Sequence, residues 1–461
     1  MIKIKDVILA LDLEIDDLDH PELNETVNKI SFDSRTLEKD DIFIALKGEK
    51  TDGHHHIKDA IMHGAKVIII DNEKFVDDCI GHTFFIVNDA YEAMGSLGKI
   101  YRSRTFEKAE IIAITGSIGK TTLRNFLCTI LGNFGSCVTS PKNYNNHIGV
   151  PVSLSLLKDD SKFGVFEVGM NNPGEIGPLV DMIMPNIAII THIGDAHIGN
   201  MGSIEAIAYE KAAIFKGLQE NGIAIIPHDC PYKNILQTKA QEKTSQIYTV
   251  GKTACADAQL LGCLYVEKGM QIEAKIFGET YSWFMPVFGE HYAILAIFAV
   301  AACIKMNISF EKIKPYIEKL EALPGRGKIF EIITKNGKKL TVIDDSYNAN
   351  LNSMKAGLDI LNRMEGKKKI AVLGAIGELG NFSKDVHESL ADHLNILTLN
   401  HVFMTGEPMK QTACKLSSTT SYNQAETIDQ LMETISQTVD DGDIILLKGS
   451  NSNQLWKVLA L

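Results

Sequence analysis

Eight residues, Thr115–Thr122, read Thr-Gly-Ser-Ile-Gly-Lys-Thr-Thr and lie between a predicted strand and a predicted helix. The strand is the apolar run Ile-Ile-Ala-Ile-Thr at 111–115. The helix is predicted because apolar residues recur at three- and four-residue intervals on one face, at Leu123, Phe126, Leu127, Ile130, Leu131 and Phe134. A strand, a glycine-containing turn and a helix in this order predict an α/β fold with a phosphate loop.

The loop carries the groups that hold nucleotide phosphates. Gly116 and Gly119 let the backbone turn its N–H groups toward an anion, and the helix start adds its positive dipole. Lys120 would reach the outer phosphates, and the Thr121 hydroxyl would bind Mg²⁺. Ile114 stands where the longer motif has glycine, so the loop is a shortened version; a glycine-rich turn without a ligand is the alternative. The nucleotide-binding candidates are Gly116, Ser117, Ile118, Gly119, Lys120, Thr121 and Thr122.

Short apolar runs alternate with helical stretches along the rest of the chain, a pattern typical of parallel strands buried on both faces. The runs lie at 163–169, 187–194, 222–227, 339–345, 368–374, 401–406 and 443–449. We predict a small N-terminal α/β domain at 1–107, a central ATP-binding domain at 108–322 and a C-terminal Rossmann-like α/β domain at 323–461. The central domain would have a P-loop-type, mainly parallel sheet.

Composition narrows the class of protein. The net charge of −12 argues against a general nucleic-acid binder, which needs clustered Lys and Arg. The longest uncharged apolar stretch, Tyr292–Ile304, is shorter than the about 20 residues of a membrane helix, and the N-terminus does not have the pattern of a signal peptide. Eight scattered cysteines form no CxxC pair, which favours reduced thiols. We expect a cytoplasmic protein without membrane insertion.

Three polar residues occur in apolar surroundings. Glu167 lies inside a predicted buried strand, where a carboxylate needs a partner: either a structural salt bridge or a metal ion. His197 follows the strand at 187–194, in a loop where α/β sheets place ligands, although His192 competes for that role and a surface position is the alternative. Lys211 shares the apolar stripe of a helix that Ser203 would cap, so its side chain either snorkels to solvent or is functional.

In all three segments the chain resembles the Mur ligase family, the ATP-dependent ligases that build the peptidoglycan stem peptide. TGSIGKTT is similar to the shortened phosphate loop of that family. The other motifs that carry the resemblance are DSRTLEKDDIFIALKGEKTDGHHH, SPKNYNNHIGVP, EVGMNNPGEIGPL, the stretch from His197 to Lys211, LPGRGKIFE, IDDSYNANLNSM, LGAIGELG and LLKGSNS.

The resemblance implies an ATP-dependent amide-bond ligase, acting as a monomer, that joins D-alanyl-D-alanine to UDP-N-acetylmuramoyl-tripeptide in cytoplasmic peptidoglycan precursor synthesis. The tripeptide carboxylate would take the γ-phosphoryl group of ATP, and the dipeptide amine would then displace inorganic phosphate. The resemblance also implies two Mg²⁺ ions, one held by Thr121 and Glu167 and one by His197, and a carbamylated Lys211 that supports the metal. The implied catalytic residues are Lys120, Glu167, His197, Lys211 and Arg326.

The remaining assignments also rest on similarity. Arg326 and Asp345 would bind ATP, the first at the phosphates and the second near the ribose. Tyr347 and Asn348 would face the phosphates or the dipeptide, and Glu378 is a candidate substrate contact. The resemblance makes the N-terminal α/β domain at 1–107 the substrate domain, in which Ser34 and Arg35 would hold the UDP end of the substrate. The muramoyl-peptide side would be lined by Asn143, Asn145, Asn146 and His147.

The chain departs from the family in one helix, where His291 is followed by Tyr-Ala-Ile-Leu instead of the frequent Asn residues, so the adenine contacts stay open. The nearest alternative is the sister ligase that adds the third stem-peptide residue, whose Asp-Asn-Pro-Arg signature does not occur in this sequence. A nucleotide-dependent switch protein is the alternative from another class. Its base-reading NKxD motif is also missing after the phosphate loop.

Overall fold

The computed structural model describes residues 1–14, 20–141 and 143–461. Within these ranges the strands form one larger sheet in each of the three predicted segments, with a two-stranded ribbon at the start of the first. Helices connect the strands of all three sheets, which confirms the predicted α/β class. The exact domain boundaries near residues 107 and 323 stay predictions.

The first segment has a parallel sheet in the order β3-β4-β5-β6, and β1 pairs with β2 in the ribbon. Its strands are β1 (Ile2–Lys3), β2 (Thr26–Val27), β3 (Ile30–Ser31), β4 (Ile42–Ile44), β5 (Val67–Ile70) and β6 (Thr83–Ile86), and its helices are α1 (Ile4–Ala10), α2 (Ile57–Met62) and α3 (Ala90–Ser103). Every residue of β5 is buried, which explains its unbroken apolar sequence.

The central segment is built on the sheet order β15-β14-β13-β12-β11-β10-β7-β9-β8. Its strands are β7 (Glu110–Thr115), β8 (Cys137–Thr139), β9 (Phe163–Glu167), β10 (Ile187–Ile190), β11 (Ile223–Pro227), β12 (Gln246–Gly251), β13 (Ala258–Val266), β14 (Gly269–Ile276) and β15 (Glu279–Met285). Its helices are α4 (Lys120–Leu131), α5 (Gly149–Ser155), α6 (Ile176–Ile183), α7 (Ile198–Met201), α8 (Ile204–Ala212), α9 (Lys233–Gln241), α10 (Glu290–Lys305) and α11 (Phe310–Ile317).

One part of this sheet was not anticipated from the sequence. The strands β13, β14 and β15 pair antiparallel, next to the parallel part that ends with the β12–β13 pair. In β14 buried and exposed residues alternate, so the strand has one apolar face only. It therefore lacks the continuous apolar run by which the parallel strands were recognised.

The third segment has the sheet order β16-β17-β21-β18-β19-β20, in which only the edge pair β16–β17 is antiparallel among the described strands. Its strands are β16 (Lys328–Ile333), β17 (Lys339–Asp345), β18 (Lys369–Gly374), β19 (His401–Thr405), β20 (Tyr422–Ala425) and β21 (Ile444–Lys448). Its helices are α12 (Leu351–Arg363), α13 (Ser383–Leu394), α14 (Met409–Lys415) and α15 (Ile428–Thr438). All four predicted runs are strands.

The order β10-β7-β9 in the central sheet positions the candidate site. These three strands are parallel neighbours, so the chain segments that follow them meet at the same edge of the sheet. The segment after β7 is the phosphate loop, β9 ends at Glu167, and the segment after β10 leads to His197. Residues far apart in the sequence are thereby brought to one place.

Arg102, in the last turn of α3, joins the first and central segments. Its buried guanidinium donates from Nε to the carbonyl of Ile183 at 2.7 Å and from Nη2 to that of Met184 at 2.9 Å. Both carbonyls belong to the end of α6, where backbone acceptors lack partners within the helix. Burial lowers the pKa of Arg102 to about 10.

No helix in the described ranges is both long enough and apolar enough to cross a membrane.

The Arg102 contact predicts a loss of stability on substitution. In Arg102→Leu the buried Ile183 carbonyl loses its side-chain donor and the Met184 carbonyl keeps only that of Gln219, so we expect the free energy of unfolding to fall by about 2 kcal/mol. Urea unfolding measures this change. Arg104→Leu is the matched control, because Arg104 pairs with Asp159 at the surface and such pairs contribute at most about 1 kcal/mol. Equal losses in the two variants would contradict the role of Arg102.

Candidate active site

The phosphate loop requires glycine at two positions. Gly116 has φ +150° and Gly119 has φ +85°, both in the region that side chains rarely adopt. A Cβ at Gly116 would lie 2.0 Å from Thr191 Oγ1, and one at Gly119 would lie 2.8 Å from Leu295 Cδ2. The loop therefore packs tightly against the segment after β10 and against α10.

Ser117 fixes the loop from within. Its N–H donates to the His192 carbonyl at 2.8 Å, and its hydroxyl donates to the Gly194 carbonyl at 3.1 Å. The same hydroxyl accepts from Gly194 N–H at 2.9 Å. Ser117 thus lies in the predicted loop, but its polar groups bond to the neighbouring segment and hold the loop in shape.

Lys120 begins α4, and its Nζ donates to the Gly116 carbonyl at 2.6 Å. This bond folds the side chain back over the loop. Burial lowers the pKa of Lys120, and the charge of Arg326 lowers it further, while Glu167 and Glu378 raise it. Glu167, Arg326 and Glu378 therefore all lie near Lys120, although they come from the central and third segments.

Glu167 is 1% exposed and has two partners on α4. Its Oε2 accepts from the Thr121 hydroxyl at 3.0 Å, and its Oε1 lies 2.9 Å from Arg124 Nη1. The structural salt bridge, one of the two partners that the sequence allows for Glu167, is therefore present, together with the contact to Thr121. Sequence reasoning missed Arg124; its signal was the three-residue spacing from Thr121, which places the two side chains on the same side of the helix.

The pair Thr121 and Glu167 fits a Mg²⁺ ion. A hydroxyl and a carboxylate supply the oxygen ligands that Mg²⁺ prefers, and their oxygens are already within 3.0 Å of each other. No group of three or more His, Cys, Asp or Glu side chains suited to a metal occurs in the described residues. Such a group is not required, since Mg²⁺ at nucleotide sites takes most of its ligands from phosphates and water.

Lys211 lies on α8 and is 1% exposed, so its side chain does not snorkel to solvent. Ser203 caps this helix as predicted, because its hydroxyl accepts from Ala206 N–H at 3.1 Å. Burial, followed by the charge of Lys120, lowers the pKa of Lys211 well below its usual value. Lys211 forms no salt bridge with any residue that the structure describes.

His192 lies close enough to Lys211 for the lysine charge to lower its pKa, although burial is the larger cause. His197 points elsewhere and contacts the third segment: its Nδ1 lies 2.7 Å from Glu378 Oε2. This bond lowers the pKa of Glu378. His192 and His197, the two candidates for a ligand-binding histidine after β10, therefore have different surroundings.

The third segment contributes Arg326 and the loop after β17. The guanidinium of Arg326 lies 4.2 Å from the ring centre of Tyr347, an arrangement that fixes both side chains. Asp345 pairs with Lys448, whose Nζ lies 3.0 Å from Oδ2; burial nevertheless raises the pKa of Asp345. Lys448 Nζ also donates to the Asn348 carbonyl at 2.6 Å.

Lys448 was missed from the sequence. It is buried at the end of β21, next to β17 in the sheet, and it holds the loop that carries the predicted nucleotide and dipeptide contacts. The sequence feature that could have indicated this role is a lysine at the end of an apolar strand, within the motif LLKGSNS.

The predicted UDP contacts in the first segment are divided between core and surface. Ser34 is buried, whereas the Arg35 side chain is 85% exposed. Asp33 accepts from Arg35 N–H at 3.1 Å and pairs with its guanidinium at 2.8 Å. Arg35 therefore extends from a rigid turn into solvent.

The Asn-rich stretch lies between the first segment and the end of β9. The Asn145 carbonyl accepts from Gly169 N–H at 2.8 Å, and the His147 ring lies 5.6 Å from that of Tyr91. The Asn146 side chain accepts from Gly149 N–H at 2.9 Å and so orders the start of α5, while Asn143 is exposed.

Comparison with known proteins agrees with this arrangement. The family description "Mur ligase family, catalytic domain" matches residues 26–105, "Mur ligase middle domain" matches 114–303, and "Mur ligase, glutamate ligase domain" matches 330–451. A UDP-N-acetylmuramoyl-tripeptide–D-alanyl-D-alanine ligase of Rickettsia prowazekii is 32% identical, over 99% of this chain and 98% of that protein. The chain belongs to the Mur ligase family.

Solved structures of this family have the same architecture. A crystal structure of MurF from Acinetobacter baumannii aligns with a TM-score of 0.86 at 26% identity, over 99% of this Mur ligase and 98% of that chain. MurF from Thermotoga maritima in complex with ADP aligns with a TM-score of 0.81 at 25% identity, over 94% and 96% of the two chains. Both confirm the predicted three-domain fold.

The packing of Gly116 generates a prediction for nucleotide binding. In Gly116→Ala the new methyl group would push the loop away from Thr191. We therefore expect ADP affinity to fall at least about tenfold, which corresponds to a loss of about 1.4 kcal/mol of binding free energy. Calorimetric titration with ADP measures it. Gly174→Ala is the control, because Gly174 also has a left-handed φ of +87° but nothing within 4 Å of its Cβ position. A comparable loss in the control would show that backbone strain alone is responsible.

Proposed function

We propose that this Mur ligase uses ATP to join D-alanyl-D-alanine to UDP-N-acetylmuramoyl-tripeptide through an acyl phosphate. The observation that supports the substrate assignment is the 32% identity with the Rickettsia ligase along nearly the whole of both chains. The reaction type is supported by the position of Lys120, Glu167 and Arg326 around one phosphate loop. Cytoplasmic precursor synthesis by a monomer is part of the same proposal.

The residues of the site suit two successive displacements. In the first, the tripeptide carboxylate attacks the γ-phosphorus of ATP, giving an acyl phosphate and ADP. In the second, the dipeptide amine attacks the acyl carbon and inorganic phosphate leaves. Negative charge on the transferring group is stabilised by Lys120, by Arg326 and by the N–H groups of the loop.

A Mg²⁺ ion held by Thr121 and Glu167, and a second held by His197, would neutralise charge on the phosphoryl oxygens. Arg124 keeps the Glu167 carboxylate aimed at Thr121. Asp345 is proposed to meet the ribose, and its pairing with Lys448 at 3.0 Å supports this role by holding the carboxylate in place.

Lys211 is proposed to carry a carbamate. The neutral amine adds to CO₂, giving a carbamate anion and releasing one proton. Two features of this site favour the reaction: burial lowers the pKa of the amine and so favours its neutral form, and the nearby Lys120 charge attracts the product anion. An anionic side chain would also support the metal, whereas an ammonium would repel it.

The substrate contacts are proposed on both sides of the phosphate loop. Ser34 and Arg35 hold the UDP end at the first domain, and the stretch from Asn143 through Asn145 and Asn146 to His147 lines the muramoyl-peptide side. Tyr347 and Asn348 face the dipeptide from the third domain.

Phosphate release tests the proposed reaction. With UDP-N-acetylmuramoyl-tripeptide, ATP and Mg²⁺ present, we expect sustained release of inorganic phosphate only when D-alanyl-D-alanine is added, because the acyl phosphate needs the amine to turn over. L-Alanyl-L-alanine is the matched control, with the same composition and opposite chirality. Release that is independent of the dipeptide would contradict the ligase assignment.

The carbamate predicts how Lys211 variants behave. Lys211→Ala should lower kcat on the order of 100-fold, as the loss of one electrostatic stabiliser does, and short-chain carboxylates should restore part of the activity. Carbon-13 NMR with labelled bicarbonate should show a carbamate signal in the wild type that increases with pH, because more of the amine is neutral. Lys216→Ala, which removes an exposed lysine of the following turn, should keep both the wild-type kcat and the carbamate signal. A wild type without the signal, or a fully active Lys211→Ala, would contradict the carbamate.

A further inference from the structure

The loop after β18 brings one residue of the third domain to the metal side of the central domain. Glu378 Oε2 lies 2.7 Å from His197 Nδ1, and the Glu378 carbonyl accepts from Gly199 N–H at 3.4 Å. Both contacts come from the same residue, one through its side chain and one through its backbone. The third domain therefore contacts the central domain at the residue proposed to bind the second Mg²⁺.

The backbone is shaped for this contact on both sides. His197 has φ +67° and Glu378 has φ +62°, conformations that cost energy for residues with a side chain and persist only where the surroundings enforce them. Gly199 permits the approach, because a Cβ there would lie 3.0 Å from the Glu378 carbonyl oxygen and 3.1 Å from Gly380 N. Two strained residues and a glycine meet at one point between the domains.

The bond has a chemical consequence for His197. When Nδ1 carries the proton and donates it to the carboxylate, Nε2 keeps its lone pair and becomes the nitrogen available to a metal. Metal-binding histidines commonly donate their other nitrogen to a carboxylate, which orients the ring and increases its basicity.

We propose that Glu378 is a positioning residue that orients His197 toward Mg²⁺ when the third domain closes on the central domain. Metal binding and the position of the third domain are then coupled, since the carboxylate that orients His197 comes from that domain. The inference rests on the proposed role of His197 as a metal ligand.

The role concerns the metal and not the stability of the fold. The Glu378 side chain is 65% exposed, and exposed ion pairs contribute little to folding. Removal of Glu378 should therefore leave thermal unfolding nearly unchanged. The measurable effect lies in the concentration of Mg²⁺ that the site requires.

Calorimetric titration of ADP at a series of Mg²⁺ concentrations tests the coupling. In Glu378→Ala we expect the Mg²⁺ concentration for half-maximal enhancement of ADP affinity to rise about tenfold, the low end of the effect of losing such a partner. Glu378→Gln should show a smaller rise, because its amide oxygen still accepts from Nδ1. Glu365→Ala is the matched control: it removes an exposed carboxylate just before β18, at the opposite edge of the third sheet, and should match the wild type.

A double-mutant comparison shows whether Glu378 acts through His197. His197→Ala should shift the Mg²⁺ midpoint, and adding Glu378→Ala to it should produce no further shift. Small-angle X-ray scattering with Mg²⁺ and ADP should show a larger radius of gyration for Glu378→Ala than for the wild type. An unchanged midpoint in Glu378→Ala, or shifts that add fully in the double variant, would overturn the inference. Because these measurements use only ADP and Mg²⁺, their outcome is separate from that of the dipeptide-dependent reaction.

Discussion

Two lysine side chains, Lys120 and Lys211, lie close together at the carboxyl edge of the central sheet, and the site is organised around this concentration of positive charge. Burial lowers the pKa of both lysines, the charge of Lys120 lowers that of Lys211 further, and Arg326 adds a third cation from the next domain. Like charges held together in the interior oppose folding. Bound anions reduce the repulsion among these cations, so the site favours the binding of phosphates and carboxylates.

The buried carboxylate of Glu167 balances the cations only in part, because Arg124 already pairs with it. Further negative charge comes from the third domain, at Glu378, which acts on Lys120. The charge balance of the site thus depends on where the third domain lies. This dependence gives closure a direct electrostatic effect on the phosphate loop, since the charge of Glu378 also acts on Lys120.

The sequence was sufficient to predict those features of the fold and the site that are local or periodic. Strands buried on both faces left continuous apolar runs, and the glycines and lysine of the loop follow from their backbone and charge requirements. The strand β14 was missed because only alternate residues are buried. Arg124 and Lys448 were missed because a cation on a helix or at a strand end is usually exposed, and only tertiary packing shows that theirs are not. The contact of His197 with Glu378 joins two domains, and no pattern within either segment encodes it.

The shortened phosphate loop follows from how the sheet is paired. Ile114, where the longer motif has glycine, is the fifth residue of β7; it is fully buried and lies opposite Glu167 on one side and Ile189 on the other. The strand continues through Thr115, whose hydroxyl donates to the Val168 carbonyl at 2.8 Å. A glycine at position 114 would weaken the strand at the point that supports Glu167. Ending the loop at Gly116 therefore keeps the carboxylate on a rigid strand, with its oxygen in contact with Thr121 on the helix that the same loop begins.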